Sequence, residues 1–86
     1  MGNTKQEKLH VVIVSPERTL YSDNAESVIV PGTKGRFEVL KDHAPIISSL
    51  QKGDVVVKGE RQQTFSVSGG FIEVCNNEVS LCIETN

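Results

Sequence analysis

The chain has 86 residues, which is enough for one small domain built around a single hydrophobic core. Its formal net charge is −2 and no basic face is visible, so nucleic-acid binding is not expected. No apolar run approaches the roughly 20 residues of a membrane-spanning helix. Residues 1–8 form a polar N-terminal tail without the apolar core of a signal peptide, so neither direct membrane insertion nor secretion is predicted.

Short β-rich runs recur between turn signals, and no stretch keeps a helical period. The predicted extended segments are, in chain order, 9–14, 19–22, 25–30, 36–40, 45–50, 54–58, 64–68, 71–75 and 78–84. The first is a near-continuous apolar run, which predicts a strand covered on both faces. Asp23-Asn24 and Pro31-Gly32 are predicted to end the second and third segments. Short strands at intervals near ten residues predict an all-β fold, either a sandwich or a barrel.

The last two segments give the clearest assignment of faces. A two-residue turn at Asn76-Asn77 pairs Cys75 with Glu78 and directs alternate side chains into the core. The predicted core residues of this hairpin are Ile72, Val74, Val79, Leu81 and Ile83. Phe71 and Cys82 become cross-strand neighbours on the opposite, otherwise polar face. They either make a local contact beneath a loop or form an apolar spot on a partner interface.

The preceding hairpin has its tip at Gly59-Glu60 and allows two registers. A two-residue tip places Asp54 opposite Phe65, whereas a three-residue tip pairs Val55 with Phe65. The second register keeps apolar residues together and is preferred. The Ser68-Gly69-Gly70 segment after this hairpin is typical of a flexible corner or a β-bulge.

The two cysteines are predicted to be free thiols. In the predicted register Cys75 and Cys82 lie about four residues apart along the strands, roughly 13 Å at ~3.3 Å per residue. A disulfide needs Cα atoms within about 7 Å. Neither His10 nor His43 completes a recognised zinc-ligand spacing with these cysteines, so no metal site is predicted.

The search for catalytic groups supports no enzyme activity and no cofactor. The glycines at 32 and 35 lack the length and the following helix of a phosphate-binding loop, so they predict a turn. Asp42 and His43 are chain neighbours whose side chains point apart, and no nucleophile is tied to them. A carrier domain that displays a modifiable lysine at a hairpin tip is the competing hypothesis for Lys58. Intact mass would reveal a lipoyl or biotinyl adduct there.

Four motifs occur in one order along the chain. They are Leu-His-Val-Val-Ile-Val-Ser-Pro-Glu at 9–17, Val-Pro-Gly-Thr-Lys-Gly at 30–35, His-Ala-Pro-Ile-Ile at 43–47 and Ser-Gly-Gly-Phe-Ile-Glu-Val at 68–74. Their order and spacing resemble those of the N-terminal domain in the epsilon-subunit family of F-type ATP synthases. The resemblance implies one domain over 9–86, a small flattened β-sandwich of about eight to ten short strands. The helical hairpin that follows in many members has no counterpart in the 86 residues.

The resemblance also implies a function and partners. Family members are non-catalytic rotor subunits that join the gamma subunit to the c-ring and support the coupling of proton flow to ATP synthesis. The implied location is the cytoplasmic face of the bacterial plasma membrane, reached only through the c-ring. The implied c-ring contact comprises Gly32, Thr33, Lys34, Gly35 and Arg36, although some relatives carry an acid at the last position. His43, Ala44 and Pro45 match a segment near the gamma and ring contacts; a hydrogen-bonded loop anchor is the alternative for His43.

Overall fold

The structure is a computed structural model that describes residues 8–85. All regular secondary structure in this range is β-strand, as the sequence predicted. The eight strands are β1 (Leu9–Val14), β2 (Thr19–Ala25), β3 (Ser27–Gly32), β4 (Gly35–Leu40), β5 (Ile46–Leu50), β6 (Gly53–Lys58), β7 (Gln62–Cys75) and β8 (Glu78–Thr85). The predicted tail falls mainly on residues 1–7, which lie outside the described residues.

The strands form one hydrogen-bonded sheet that folds over into two layers. Its order is β2-β1-β8-β7-β5-β3-β4, and β6 additionally pairs with both β3 and β7. One layer therefore contains β2, β1, β8, β5 and the second half of β7, and the other contains β4, β3, β6 and the first half of β7. All pairs are antiparallel except β1 with β8, which run parallel. This arrangement is a β-sandwich whose layers share strands.

The core lies between the layers and is built from the inward-facing positions of nearly every strand. The fully buried members include Leu9, Val11, Ile13, Val28, Val30, Val39, Val55, Val57, Val67, Ile72, Val74, Val79, Leu81 and Ile83. Strict alternation on β8 explains its burial pattern, because successive side chains of a strand point to opposite faces. The five predicted core residues of the last hairpin are all buried, so that assignment is confirmed.

Strand β7 is the longest element, with 14 residues. Its first half pairs with β6 in the predicted three-residue-tip register, with Val55 opposite Phe65. Its second half pairs with β5 and β8, and the register with β8 shifts between Val67 and Gly69. The predicted bulge is therefore confirmed. Gly70 follows it with a φ of 139°, a conformation that favours glycine.

Two predicted strand ends are wrong. Asp23 and Asn24 continue β2, because both pair with β1, opposite Val11 and His10. Pro31-Gly32 belongs to β3 and pairs with Arg36 and Gly35 of β4. Pro31 is tolerated there because β3 pairs with β6 only through 27–29 and with β5 only at Gly32, so no ladder bond on that side needs its missing N–H. Tertiary pairing outweighs the turn propensity at both places.

The prediction that β1 is covered on both faces is also wrong. Burial alternates along β1, with Leu9, Val11 and Ile13 buried but Val12 and Val14 only half-buried. Strands β2 and β8 flank β1 in the sheet and contribute Ser22 and Ser80 beside Val12 on its outer face. Within residues 8–85 no second layer packs on that face.

Tyr21, the only tyrosine of the chain, should make stability depend on pH in the alkaline range. It packs edge-on against Phe65 and its hydroxyl donates to the Asn24 carbonyl at 3.0 Å. Burial, and then the negative charge of Asp23, raise the pKa of Tyr21 above the ordinary value for a tyrosine. The folded state therefore holds the phenol proton more tightly than the unfolded state. We expect full stabilisation below about pH 10 and a decline as pH rises through the folded pKa. Urea midpoints at pH 8 and pH 10.5 should differ more for the wild type than for Tyr21→Phe; equal differences would contradict the expectation.

Candidate functional site

The glycine-framed loop between β3 and β4 is a tight hairpin anchored to β5. Gly35 has a φ of 133°, and a Cβ on Gly32 would lie only 2.7 Å from the Gly35 carbonyl oxygen. Both glycines are therefore required by the backbone, in the turn that the sequence predicted. Thr33 fixes the loop to the neighbouring strand: its N–H donates to the Ser49 carbonyl at 3.1 Å, and the two hydroxyl oxygens lie 2.9 Å apart.

The loop and the outer edge of β5 enclose an open groove, which we call the loop groove. Its lining residues are Thr33, Lys34, Gly35, Arg36, Phe37, Ile46, Ile47, Ser48 and Ser49. Two of these are basic and none is acidic, in a chain whose net charge is −2. Ile47 is 73% exposed, the most exposed large apolar side chain among residues 8–85. An apolar side chain that shares a groove with exposed cations suits a protein surface with carbonyl or carboxylate oxygens.

Arg36 is exposed, as the alternation of β4 predicted, but its guanidinium is not free of the domain. Nη1 donates to the Asp54 carbonyl on β6 at 2.9 Å. The other donors of the side chain remain available at the mouth of the loop groove. Arg36 can therefore bind an acceptor on a partner while it stays oriented by its own domain.

His43 is half-buried and makes a local hydrogen bond. Its Nδ1 lies 2.7 Å from the Ala44 carbonyl oxygen and must donate, since a carbonyl only accepts. This bond fits the alternative in which His43 anchors the loop. Ala44 and Pro45 are exposed and lead directly into β5, so the 43–45 segment is continuous with the loop groove. Strand β5 thus connects the two segments that the family resemblance singled out: 43–45 precedes it, and the glycine-framed loop is hydrogen-bonded to Ser49 near its end.

Phe71 and Cys82 face outward as paired neighbours, as predicted. Val14, Ser15 and Pro16 flank them in a shallow depression. Phe71 remains 52% exposed, so the adjacent loop does not cover it and the local-contact alternative is not supported. A contact with a partner at this patch stays a prediction.

Two features of the surface were missed by the sequence reasoning. Ile47 was treated as part of an extended run, yet adjacent residues of a strand cannot both face inward, so Ile46-Ile47 already signalled one outward isoleucine. The second feature is a hydrogen-bonded contact between Asp42 and Asn77, which lie 35 residues apart in the sequence. No local sequence pattern predicts it.

The described residues offer no group of three or more His, Cys, Asp and Glu side chains that could hold a metal ion. Both cysteines are free and exposed. Lys58 is the last residue of β6, with Nζ 4.0 Å from a Glu38 carboxylate oxygen, rather than at the hairpin tip itself. No helix within residues 8–85 has the length and apolar character needed to cross a membrane.

Several ATP synthase epsilon chains match most of the chain. The "ATP synthase epsilon chain" of Leptospira borgpetersenii is 45% identical over 75 residues, which cover 86% of this chain and 59% of that protein. The protein of the same name from Chlorobaculum tepidum is 40% identical over 74 residues, which cover 84% of each chain. The chain thus spans a little over half the length of the Leptospira relatives.

Solved structures show the same fold. A chain of the mitochondrial ATP synthase of Euglena gracilis, in an assembly that includes the c-ring, superposes with a TM-score of 0.86 at 19% identity over 95% of this chain and 53% of that one. A chain from the central stalk and c-ring of the Tetrahymena thermophila enzyme gives 0.78 at 16% identity, over 94% and 66%. Residues 8–86 match the family described as "ATP synthase, Delta/Epsilon chain, beta-sandwich domain". The chain belongs to this family.

Proposed function

We propose that this chain is a non-catalytic rotor subunit of an F-type ATP synthase, which joins the gamma subunit to the c-ring and supports the coupling of proton flow to ATP synthesis. The observation that carries the proposal is its identity of 45% to an ATP synthase epsilon chain over 75 residues, 86% of this chain. The fold suits the role, because a sandwich with shared strands is a stiff body that can hold two other components in register. Such a subunit lies at the cytoplasmic face of the bacterial plasma membrane and meets the membrane only through the c-ring.

Within this function we assign the loop groove to the c-ring. Lys34 and Arg36 give the groove its positive charge, and Ile47 gives it an apolar contact point. The loop is fixed at both glycines and at Thr33, so little conformational entropy is lost when a partner binds there. The gamma subunit is assigned to a different part of the sandwich surface.

Co-purification tests the proposal directly. The chain, expressed with the gamma subunit and the c-ring of its own organism, should be retained by either partner when that partner carries the affinity tag. Retention by neither partner, with the chain folded by circular dichroism, would refute the function.

Arg36→Glu should weaken binding to the c-ring while leaving gamma binding intact. Charge reversal at the rim of an interface should cost about 1 kcal/mol or more, hence at least about fivefold in affinity, with a larger effect at low salt than at high salt. The lost hydrogen bond to the Asp54 carbonyl is solvent-exposed and should lower the stability of the domain by less than about 1 kcal/mol. Binding to each partner at two salt concentrations, together with the melting temperature, measures these effects.

Arg61→Glu is the matched control. Arg61 is exposed at the tip of the β6–β7 hairpin and lines a different depression, so it undergoes the same charge change away from the loop groove. Equal losses for both variants would mean that net charge, and not the loop groove, governs binding. Loss of gamma with retention of the c-ring by Arg36→Glu would mean that the groove faces the other partner.

A further inference from the structure

The turn between β4 and β5 places a residue other than glycine in the left-handed conformation. The His43 N–H donates to the Leu40 carbonyl at 3.1 Å, which closes a four-residue turn with Lys41 and Asp42 at its centre. Asp42 has a positive φ, 65°, whereas the φ of Lys41 is not positive. A turn of this kind prefers glycine or asparagine at its third position. Aspartate enters the left-handed region more readily than most residues but less readily than glycine, so contacts from outside the turn can further stabilise it there.

Asn77 supplies those contacts from the β7–β8 hairpin. Its Oδ1 accepts the Asp42 N–H at 2.6 Å, and its Nδ2 donates to Asp42 Oδ1 at 3.3 Å. The Asn77 carbonyl oxygen also accepts the His10 N–H at 2.9 Å, at the start of β1. One half-buried asparagine therefore joins three segments that are far apart in the sequence. No other hydrogen bond in residues 8–85 ties the side chain or N–H of Asp42 to another strand.

The segment that this contact holds leads into the proposed partner surface. Ala44 and Pro45 follow the turn, are exposed, and run directly into Ile46, which lines the loop groove. A separate depression beside the loop groove is lined by 42–45 and by Asn76 and Asn77. A change in the turn at Asp42 would therefore alter the path by which the chain enters β5.

We propose that Asn77 is a positioning residue, whose side-chain amide holds the 42–45 segment in the conformation that contacts the c-ring. The choice of partner follows from the continuity of this segment with the loop groove and rests on the proposed function. Without the Asn77 amide, the turn samples other conformations and only a fraction of molecules is competent to bind. The apparent affinity falls in proportion to that fraction.

The chain offers a closely matched pair of variants. Asn76 and Asn77 both have positive φ, 51° and 64°, as a two-residue type I′ hairpin turn requires. Glycine is favoured at either position of such a turn, so Asn77→Gly keeps the hairpin and deletes only the amide. Asn76→Gly makes the same chemical change one residue earlier, where the side chain makes no hydrogen bond to residues 8–85. Both variants add the same flexibility to the unfolded chain.

Amide hydrogen exchange of the 86-residue chain tests the structural part of the proposal. Loss of one hydrogen bond should accelerate exchange of the Asp42 N–H by about fivefold in Asn77→Gly. Exchange at this site should be unchanged in Asn76→Gly, and the melting temperature of Asn77→Gly should be lower than that of Asn76→Gly by no more than about 8 °C, the shift expected for about 1 kcal/mol. Unchanged Asp42 exchange in Asn77→Gly would overturn the proposal.

Binding to the purified c-ring in detergent tests the functional part, with the gamma subunit as the internal comparison. Asn77→Gly should bind the c-ring more weakly than the wild type and Asn76→Gly, by up to about fivefold, while all three bind gamma equally. Equal c-ring binding by the three proteins, or a loss of gamma binding alone, would overturn the proposal. If the wild type itself binds neither partner, the proposed function fails, and the exchange result still decides whether Asn77 holds the turn.

Discussion

Gly70→Ala is expected to destabilise the folded domain severely. The φ of 139° at this position is strained for any residue with a side chain, which costs about 1–3 kcal/mol. A Cβ there would also lie 2.2 Å from the Cys82 carbonyl oxygen and 2.8 Å from the Ile83 Cα. These are backbone atoms of the paired strand, so the clash is relieved only if β7 and β8 separate. The combined loss should exceed about 3 kcal/mol, a large share of the 5–15 kcal/mol typical of a folded domain.

Thermal unfolding followed by circular dichroism measures this loss. For a domain of this size, about 3 kcal/mol corresponds to a fall in melting temperature of at least about 12 °C. Gly69→Ala is the control, because a Cβ at that neighbouring glycine meets nothing closer than the Leu50 carbonyl oxygen at 3.8 Å. Gly69 should therefore accept alanine with little change. A melting temperature of Gly70→Ala within a few degrees of the wild type would show that the bulge can adopt another geometry.

Ile72→Ala should be the next most damaging substitution. The Ile72 side chain is fully buried between the layers, opposite Leu81 on β8. Removal of three methyl or methylene groups from such a site costs about 2–5 kcal/mol, through lost burial and the cavity left behind. The site is central in the sandwich and flanked by strands on both sides, so the surroundings can relax little. We expect a corresponding fall in the urea midpoint without a change in the slope of the transition.

Phe71→Ala is the matched control one residue away. The side chain removed is larger, but it is 52% exposed on the outer face, so the expected loss is about 1 kcal/mol. The smaller residue should therefore matter more than the larger one. A greater loss for Phe71→Ala would mean that the outer face of this layer is packed more tightly than its exposure indicates. With the gamma subunit present, the same variant also tests whether the exposed Phe71 contacts a partner.

The elements that could be predicted are those whose signals are local. The last hairpin follows from alternation and from Asn76-Asn77, because a two-residue turn fixes the register and the register fixes the faces. The bulge between Val67 and Gly69 follows from a pair of glycines inside a strand pattern. Arg36 on the outer face of β4 follows in the same way from Phe37 and Val39 on the inner face.

The features that escaped prediction depend on partners distant in the chain. Asp23-Asn24 has the composition of a turn, and only its pairing with β1 makes it a strand. The parallel pairing of β1 with β8 joins residues almost 70 positions apart, such as His10 and Glu78, and has no local signature. The contact between Asp42 and Asn77 is of the same kind. For the candidate site, the resemblance located the loop, but the exposure of Ile47 and the hydrogen bond from Arg36 required the three-dimensional arrangement.

The length of β7 bears on how this body transmits force. Its 14 residues begin in one layer of the sandwich and end in the other. One covalent strand therefore links the two layers and is bonded along its sides to β5, β6 and β8. A pull directed along β7 loads these hydrogen bonds together in shear instead of opening them one at a time. A load applied to one layer would therefore reach the other through continuous backbone as well as through the packed core.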